Sequence, residues 1–255
     1  MFDFFKSLKA FAFPRRKFHR NSLFKKLNLL GLEERITPAN FVVSSRFSTG
    51  AGSLREAITL ANTTAGDDQI SFNFSSGSSP YTITLNSALP TIVSASTPIT
   101  GGGTAGTVTI NGLGASSLII SGDNGNSGRD FNIFNINPGG NLSISGVTVS
   151  GAQTSGNGGA FSNIGGKLTV SNSTISGNSV NGFGGGINNN GGTLTVTNST
   201  ISGNASNFGG GINSYGGTVM VTNSTISGNS SFIGGGICNA NSGTLTVTNS
   251  TISGN

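Results

Sequence analysis

Residues 193–204 read TLTVTNSTISGN, and residues 244–255 repeat the same letters. Close variants stand at 167–178 (KLTVSNSTISGN) and 218–229 (TVMVTNSTISGN). Within each copy apolar and polar residues alternate, which is typical of β-strands that bury one face. A unit that recurs every 25 or 26 residues, with no helical segment inside it, predicts a solenoid of stacked coils.

Three apolar columns run through these repeats at a constant spacing. They are Leu142, Leu168, Leu194, Val219 and Leu245; Val149, Ile175, Ile201, Ile226 and Ile252; and Phe161, Ile187, Ile212 and Ile237. Three columns imply three short strands per coil, each with alternate side chains inward, and each strand pairs with its equivalent in the next coil. We therefore predict an all-β fold, a right-handed parallel β-helix of roughly seven coils.

Asparagine and glycine occupy the corners between the predicted strands. One asparagine column lies between the first two strands and a second follows them: Asn172, Asn198, Asn223 and Asn249, then Asn178, Asn204, Asn229 and Asn255. Stacked amides can hydrogen-bond from coil to coil, so we predict structural ladders at these positions. Triple glycines at 184–186, 209–211 and 234–236 predict corners with positive φ and close backbone approach.

The segment ahead of the repeats contains one helix signal. Ser53 and Glu56 have capping-box spacing before the apolar residues Ala57, Ile58, Leu60 and Ala61. We predict that Phe41 to about Phe74 caps the open edge of the first coil. The predicted organisation is a leader at 1–40, an N-terminal cap with a short helix at 41–80, and a β-helix at 81–255 that becomes regular from about 142.

Charge is distributed unevenly between the leader and the rest of the chain. Residues 1–40 contain nine Lys and Arg against three acids, whereas residues 41–255 contain four against five. The leader suits either a removable export signal or a basic amphipathic or disordered tail on an anionic surface. The body lacks the clustered Lys and Arg of a nucleic-acid surface, so we expect no nucleic-acid partner.

Several other features are absent from the sequence. No run of about 18 apolar residues exists, so no transmembrane helix is expected. Cys238 is the only cysteine, which excludes an intramolecular disulfide and a cysteine-based zinc site. We expect no metal or cofactor.

Two parts of the sequence resemble known families. The alternation of GGGI (184–187, 209–212, 234–237) with ISGN (175–178, 201–204, 226–229), together with GGAFSN at 158–163, resembles the repeats of chlamydial polymorphic outer membrane proteins. GAGSLREAI at 50–58 resembles the N-terminal cap of extracellular SLREA-type β-helix proteins, with Gly52 where that motif often has cysteine. These resemblances imply a bacterial surface or secreted β-helix protein with an adhesive role.

An enzymatic function has little support from the residues. β-Helix polysaccharide lyases and hydrolases need carboxylates, yet no Asp or Glu follows Asp130. Asp123, Arg129 and Asp130 form the one cluster that could carry a site, and a polar loop between coils is the interpretation that we favour for it. Asp67 and Asp68 are expected in a turn before a strand. The alternative to a non-catalytic module is a carbohydrate-active enzyme whose site lies outside the regular coils.

One candidate binding surface consists of threonines that alternate with inward Leu and Val. Thr169, Thr195, Thr197, Thr246 and Thr248 should point outward and stack into two columns. Such a hydroxyl grid could bind carbohydrate or ice, and ordinary β-propensity also explains it. Met220 interrupts one column, which argues more against ice than against an adhesive surface.

The sequence therefore predicts a non-catalytic structural or adhesive module, outside the cell or at its surface. Its partner would be a surface carbohydrate or a protein of a host or neighbouring cell. Leu245, Val247 and Ile252 have no later coil in this sequence, so we expect residues 41–255 expressed alone to associate end to end or to aggregate.

Overall fold

The structure, a computed structural model, describes residues 38–93, 105–122 and 130–255. Within them lie a single helix, α1 (Leu54–Ala61), and 22 strands. In chain order the strands are β1 Asn40–Val43, β2 Gly66–Phe72, β3 Tyr81–Thr84, β4 Ala105–Asn111, β5 Leu118–Ser121, β6 Phe134–Ile136, β7 Asn141–Ser145, β8 Thr148–Ser150, β9 Gln153–Thr154, β10 Phe161–Ile164, β11 Lys167–Ser171, β12 Thr174–Ser176, β13 Ser179–Val180, β14 Ile187–Asn190, β15 Thr193–Thr197, β16 Thr200–Ser202, β17 Ile212–Tyr215, β18 Thr218–Thr222, β19 Thr225–Ser227, β20 Ile237–Ala240, β21 Thr244–Thr248 and β22 Thr251–Ser253.

The strands form three long parallel sheets and one short one. The eight-stranded sheet has the order β1-β2-β4-β7-β11-β15-β18-β21, and the seven-stranded sheet β22-β19-β16-β12-β8-β5-β3. The five-stranded sheet has the order β20-β17-β14-β10-β6, and β9 pairs with β13. Each regular coil contributes one strand to each long sheet, so the predicted parallel β-helix with three strands per coil is confirmed.

The number of coils differs from the prediction by one. The eight-stranded sheet defines eight rungs rather than roughly seven. The additional rung is β1, which pairs with β2 through Phe41 and Ile70 and lies inside the segment predicted as a cap. Both strands belong to the eight-stranded sheet, so the segment from Phe41 to Phe74 builds coils as well as containing the helix.

The predicted helix begins after its expected cap. The Ser53 hydroxyl accepts a hydrogen bond from the Glu56 N–H at 3.2 Å, and Glu56 accepts one from the Gly52 N–H at 2.6 Å. The first bond satisfies an N–H group that the helix start leaves without a partner, and the second joins Glu56 to the residue before the cap. The helix buries Leu54, Ala57, Ile58 and Ala61, whereas Leu60, predicted with the apolar face, is exposed.

The interior of the solenoid is built from the predicted apolar columns. Leu194 stacks between Leu168 and Val219 in register, and all three are fully buried. In the second column Val149, Ile175, Ile201 and Ile226 are likewise in register and fully buried. In the third column Phe134 and Phe161 stack with ring centroids 5.1 Å apart. Burial of these side chains, at roughly 1.5–3 kcal/mol for each large aliphatic residue, is the main stabilising contribution.

The triple-glycine corners follow the prediction. Gly209 has φ +65°, and a Cβ there would lie 2.4 Å from the Ile212 carbonyl oxygen. Next to it, a Cβ on Gly210 would lie 2.5 Å from the Gly235 carbonyl oxygen of the following coil. Any larger residue would push adjacent coils apart at this corner.

No helix among the described residues is both long and apolar enough to cross a bilayer. The predicted leader at 1–40 lies almost entirely outside those residues, as do Asp123 and Arg129. Leu245, Val247 and Ile252 are partly exposed in the last described rung.

Candidate functional site

The predicted hydroxyl columns lie on the outer surface of the eight-stranded sheet. Register places Thr169, Thr195, Met220 and Thr246 in one column, and Ser171, Thr197, Thr222 and Thr248 in a second. A third column, which the sequence reasoning missed, consists of Lys167, Thr193, Thr218 and Thr244. The alternation that indicates the first two columns extends to the third. We call the outward positions of β11, β15, β18 and β21 the threonine face.

The threonine face is a regular array. Neighbouring rungs lie about 4.7–4.9 Å apart and alternate residues along a strand about 6.6 Å apart. On β15, β18 and β21, eight of the nine outward residues are threonine, and the ninth is Met220. Among the residues that the structure describes, none of these threonine hydroxyls has a hydrogen-bond partner, so they are available to solvent or a ligand.

The asparagine column between the first two strands differs from the predicted ladder. Asn172, Asn198, Asn223 and Asn249 have φ between +48° and +49°, and their side chains are exposed. Among the described residues, one hydrogen bond joins their side chains: Asn198 Nδ2 donates to Asn172 Oδ1 at 3.4 Å. Asparagine is suited to this left-handed corner because its short polar side chain tolerates αL. These residues turn the chain rather than forming a buried ladder.

The buried ladder is the second asparagine column. Asn178 Nδ2 donates to Asn204 Oδ1, Asn204 Nδ2 to Asn229 Oδ1, and Asn229 Nδ2 to Asn255 Oδ1, each at 2.9 Å. The same oxygens accept backbone N–H bonds, and each amide also donates to a carbonyl of the preceding coil, as Asn204 does to Ile175. Every ladder amide therefore links adjacent coils.

A serine ladder, absent from the sequence-based prediction, lies directly after the left-handed asparagines. The Ser199 hydroxyl accepts a hydrogen bond from the Ser173 N–H at 3.2 Å and donates to the Thr197 carbonyl at 2.8 Å. The arrangement repeats at Ser224 and Ser250. The signal for it is the constant spacing of the NST triplet along the chain, whose central serine is buried in three successive coils.

A groove lies against the outer surface of the five-stranded sheet. It has a volume of about 340 Å³, is open to solvent, and is lined by Asn157, Phe183, Asn188, Asn190, Asn213 and Tyr215. Asn188 and Asn213 are adjacent in register, and Asn190 pairs with Tyr215. Phe183 belongs to the loop before β14, where it stacks on Phe208 with centroids 4.9 Å apart. We call this cavity the amide groove; the sequence reasoning did not find it.

The described carboxylates have structural contacts. Asp67 and Asp68, predicted in a turn, lie in β2 at an irregularity in its pairing with β4. Asp67 Oδ1 accepts from the Thr107 N–H at 2.7 Å, and buried Asp68 accepts from the Ala39 N–H at 3.1 Å. Burial raises the pKa of Asp68; the charge of Asp67 adds to the shift and the bond from Ala39 opposes it.

Asp130 is the described member of the predicted Asp123, Arg129 and Asp130 cluster. Its carboxylate accepts hydrogen bonds from the Ser155 hydroxyl and from the Ser155 N–H, the latter at 2.8 Å. Hydrogen bonds from the side chains of Ser155 and Thr154 and from the Ser155 backbone lower the pKa of Asp130. Asp130 is therefore ionised at neutral pH and joins its own position to Ser155 of the next coil.

Three parallel sheets around one apolar core define the described part of the chain as a parallel β-solenoid. Comparison with protein-family models, with curated proteins and with solved structures gives no match. The assignment to this class of protein rests on the register and packing of the chain itself.

Proposed function

We propose that this protein is a non-catalytic structural and adhesive module that works outside the cell or at its surface. The observation that carries the proposal is the threonine face, where eight of nine outward positions on three successive strands are threonine. Its hydroxyls have no partner among the described residues. A surface of this kind can exchange its hydrogen bonds with water for bonds to a partner.

The regular spacing of the array favours an extended partner. Each hydroxyl contributes little alone, since a hydrogen bond exchanged with water contributes about 0.5–1.5 kcal/mol. Many such contacts on one rigid surface act together once the first has formed. A surface carbohydrate with repeating hydroxyls, or a protein of a host or neighbouring cell, is the partner that we propose.

A structural role is supported by the chemistry of the coils. From Leu142 onward the chain has one charged residue, Lys167, and adjacent coils are joined by neutral asparagine and serine ladders. General acid catalysis of glycoside cleavage needs a carboxylic acid whose pKa is raised. The pKa of Asp130 is instead lowered, and Asp68, whose pKa burial raises, is only 1% exposed and does not face a substrate surface, which together support a non-catalytic function.

The proposed location and origin rest on the sequence. The ISGN and GGGI repeats resemble those of bacterial polymorphic outer membrane proteins, and the SLREA segment at 53–57 resembles the caps of extracellular β-helix proteins. A surface with many hydroxyl groups and few charges is compatible with both a cell-surface and a secreted protein. We therefore propose that the chain is a bacterial surface or secreted protein.

Adhesion can be tested with the full chain on insoluble neutral polysaccharides, namely cellulose, chitin and xylan. We expect depletion of the protein from solution by at least one of them. The double variant Thr195→Val, Thr246→Val, which removes two hydroxyls and keeps the β-branched shape, should bind several-fold more weakly. The control Thr200→Val lies outward on the seven-stranded sheet and should bind like the unmodified protein.

The same samples test catalysis. We expect no release of reducing ends or unsaturated sugars from neutral or acidic polysaccharides. Turnover that disappears in Asp130→Asn would support the alternative enzyme, and equal binding by the Thr195→Val, Thr246→Val protein and the control would refute adhesion through the threonine face.

A further inference from the structure

The amide groove has hydrogen-bonding groups that the protein itself leaves unused. Asn213 Nδ2 donates to Asn188 Oδ1 at 2.9 Å, and both residues are only 4% exposed. Within the described residues, Asn188 Nδ2 and Asn213 Oδ1 have no protein partner. A donor on one asparagine and an acceptor on the other are therefore free to bind a ligand in the groove, although the two residues that carry them are almost fully buried.

Two aromatic rings complete the lining. Phe183 is 41% exposed although it stacks on Phe208, and Tyr215 is 51% exposed. An aromatic face carries partial negative charge and attracts the electropositive C–H groups of a ligand. The lining thus combines apolar rings with convergent polar groups, as small-molecule sites do, and its 340 Å³ lies within the range of about 300–1,000 Å³ for such sites.

The lining residues carry no charge, which restricts the chemical class of ligand that the groove can bind. Its residues are four asparagines, a phenylalanine and a tyrosine, none of which is charged at neutral pH. A phosphate, a carboxylate or an ammonium group would lose water here without gaining an opposite charge. Ligands with neutral donor and acceptor groups, such as vicinal hydroxyls, match the amide pair, and their C–H faces match the rings.

The groove also follows the repeat of the solenoid. Asn188 and Asn213 occupy the same position in successive coils, as do Asn190 and Tyr215. The polar column continues to Ser162 on one side and to Cys238 on the other. A ligand made of linked similar units can therefore contact equivalent groups on successive rungs.

From these observations we propose that the amide groove binds a neutral oligosaccharide. Asn188 and Asn213 hydrogen-bond its hydroxyl groups, and Phe183 and Tyr215 pack against its sugar rings. This site lies on a different sheet from the threonine face and does not depend on the proposed function.

Isothermal titration calorimetry of the full chain tests the proposal. The neutral probes are the hexasaccharides derived from cellulose, xylan, mannan and chitin, and the acidic probe is hexagalacturonate. We expect binding of at least one neutral hexasaccharide and none of hexagalacturonate. Tyr215→Ala and Phe183→Ala should each weaken that binding by about tenfold or more, the effect of losing an aromatic anchor.

Two control proteins make the result specific. Ile164 lies in the same outward column as Asn190 and Tyr215 but does not line the groove, so Ile164→Ala should bind the oligosaccharide normally. The Thr195→Val, Thr246→Val protein should also bind it normally. If no neutral probe binds, or if Tyr215→Ala and Phe183→Ala bind as tightly as Ile164→Ala, the amide groove does not bind a neutral oligosaccharide. Adhesion through the threonine face is tested separately, by binding to the insoluble polysaccharides.

Discussion

Asn204 Nδ2 donates a hydrogen bond to Asn229 Oδ1 across 2.9 Å, and the two side chains are 1% and 2% exposed. One asparagine thus joins three coils, because Asn204 Oδ1 also accepts from the Asn178 N–H at 3.1 Å. Since the amides are neutral, the solenoid gains contacts between coils without burying charge.

Replacement of this asparagine should destabilise the solenoid strongly. Asn204→Ala leaves the Asn178 N–H and the Ile175 carbonyl without their partner, at about 1–3 kcal/mol for each unsatisfied group. Urea unfolding followed by circular dichroism should show a clear loss of stability. Ser202→Ala, at an outward position of the same coil, is the matched control, and an equal effect of the two substitutions would contradict a buried ladder.

The left-handed corner predicts a different response at Asn223. Its φ of +49° costs an ordinary L-residue about 1–2 kcal/mol, whereas glycine adopts it freely. Asn223→Ala should therefore lower the melting temperature, and Asn223→Gly should keep or raise it. If glycine destabilised the protein as much as alanine, the Asn223 side chain would have a role beyond the backbone angle.

The two asparagine columns also show where sequence reasoning reaches its limit. Period and alternation predict the strands and the core because both are local properties of the chain. Alternation from inward Val170 would place Asn172 inward as well, but the positive φ at Asn172 turns the chain and Ser173 takes the buried position. The repeat therefore reveals that asparagines stack, but not which column is buried.

The amide groove was missed for a related reason. Asn188 and Asn213 occupy outward positions of β14 and β17, where polar residues normally indicate exposure. They are buried nonetheless, and Phe183 of the preceding loop lines the same cavity. Contacts between a loop and a sheet leave no periodic signal, whereas the threonine face, built by strand alternation alone, could be predicted in two of its three columns.

Arg55 is predicted to fasten the segment that follows β3. Its guanidinium donates to the carbonyls of Ala88 at 2.6 Å, Ser87 at 2.9 Å and Ser48 at 3.1 Å. Hydrogen bonds of a charged group contribute about 1.5–3 kcal/mol, so Arg55→Ala should destabilise this region. Arg55→Lys should restore little, because an ammonium group cannot reproduce the planar fork of donors.

Hydrogen exchange measures this effect locally. In Arg55→Ala, the Leu89 and Ile92 amides, which are bonded to the carbonyls of Ile133 and Asn135, should exchange faster. Thr59→Ala, one turn later on α1, should leave their exchange unchanged. Unaltered protection in Arg55→Ala would show that the loop is held by its own packing.

Asp68 and Asp130 should respond to pH in opposite directions. Burial raises the pKa of Asp68 in the folded protein, so its ionisation opposes folding once the pH rises above the unfolded value of about 3.9. Asp68→Asn should therefore raise the melting temperature at neutral pH, with the gain shrinking as the pH falls to that value. The amide oxygen of asparagine can still accept the Ala39 N–H bond.

Hydrogen bonds lower the pKa of Asp130, so its ionised form favours folding. That stability is present above the unfolded pKa of about 3.9 and is lost as the pH falls through the lower folded value. Asp130→Asn should thus lower the melting temperature at neutral pH, with the loss disappearing in strong acid. Melting curves of the two variants and the unmodified chain between about pH 2 and 7 would check both predictions. If both substitutions changed the melting temperature at neutral pH in the same direction, the pKa of at least one of these carboxylates would be shifted in the direction opposite to the one stated here.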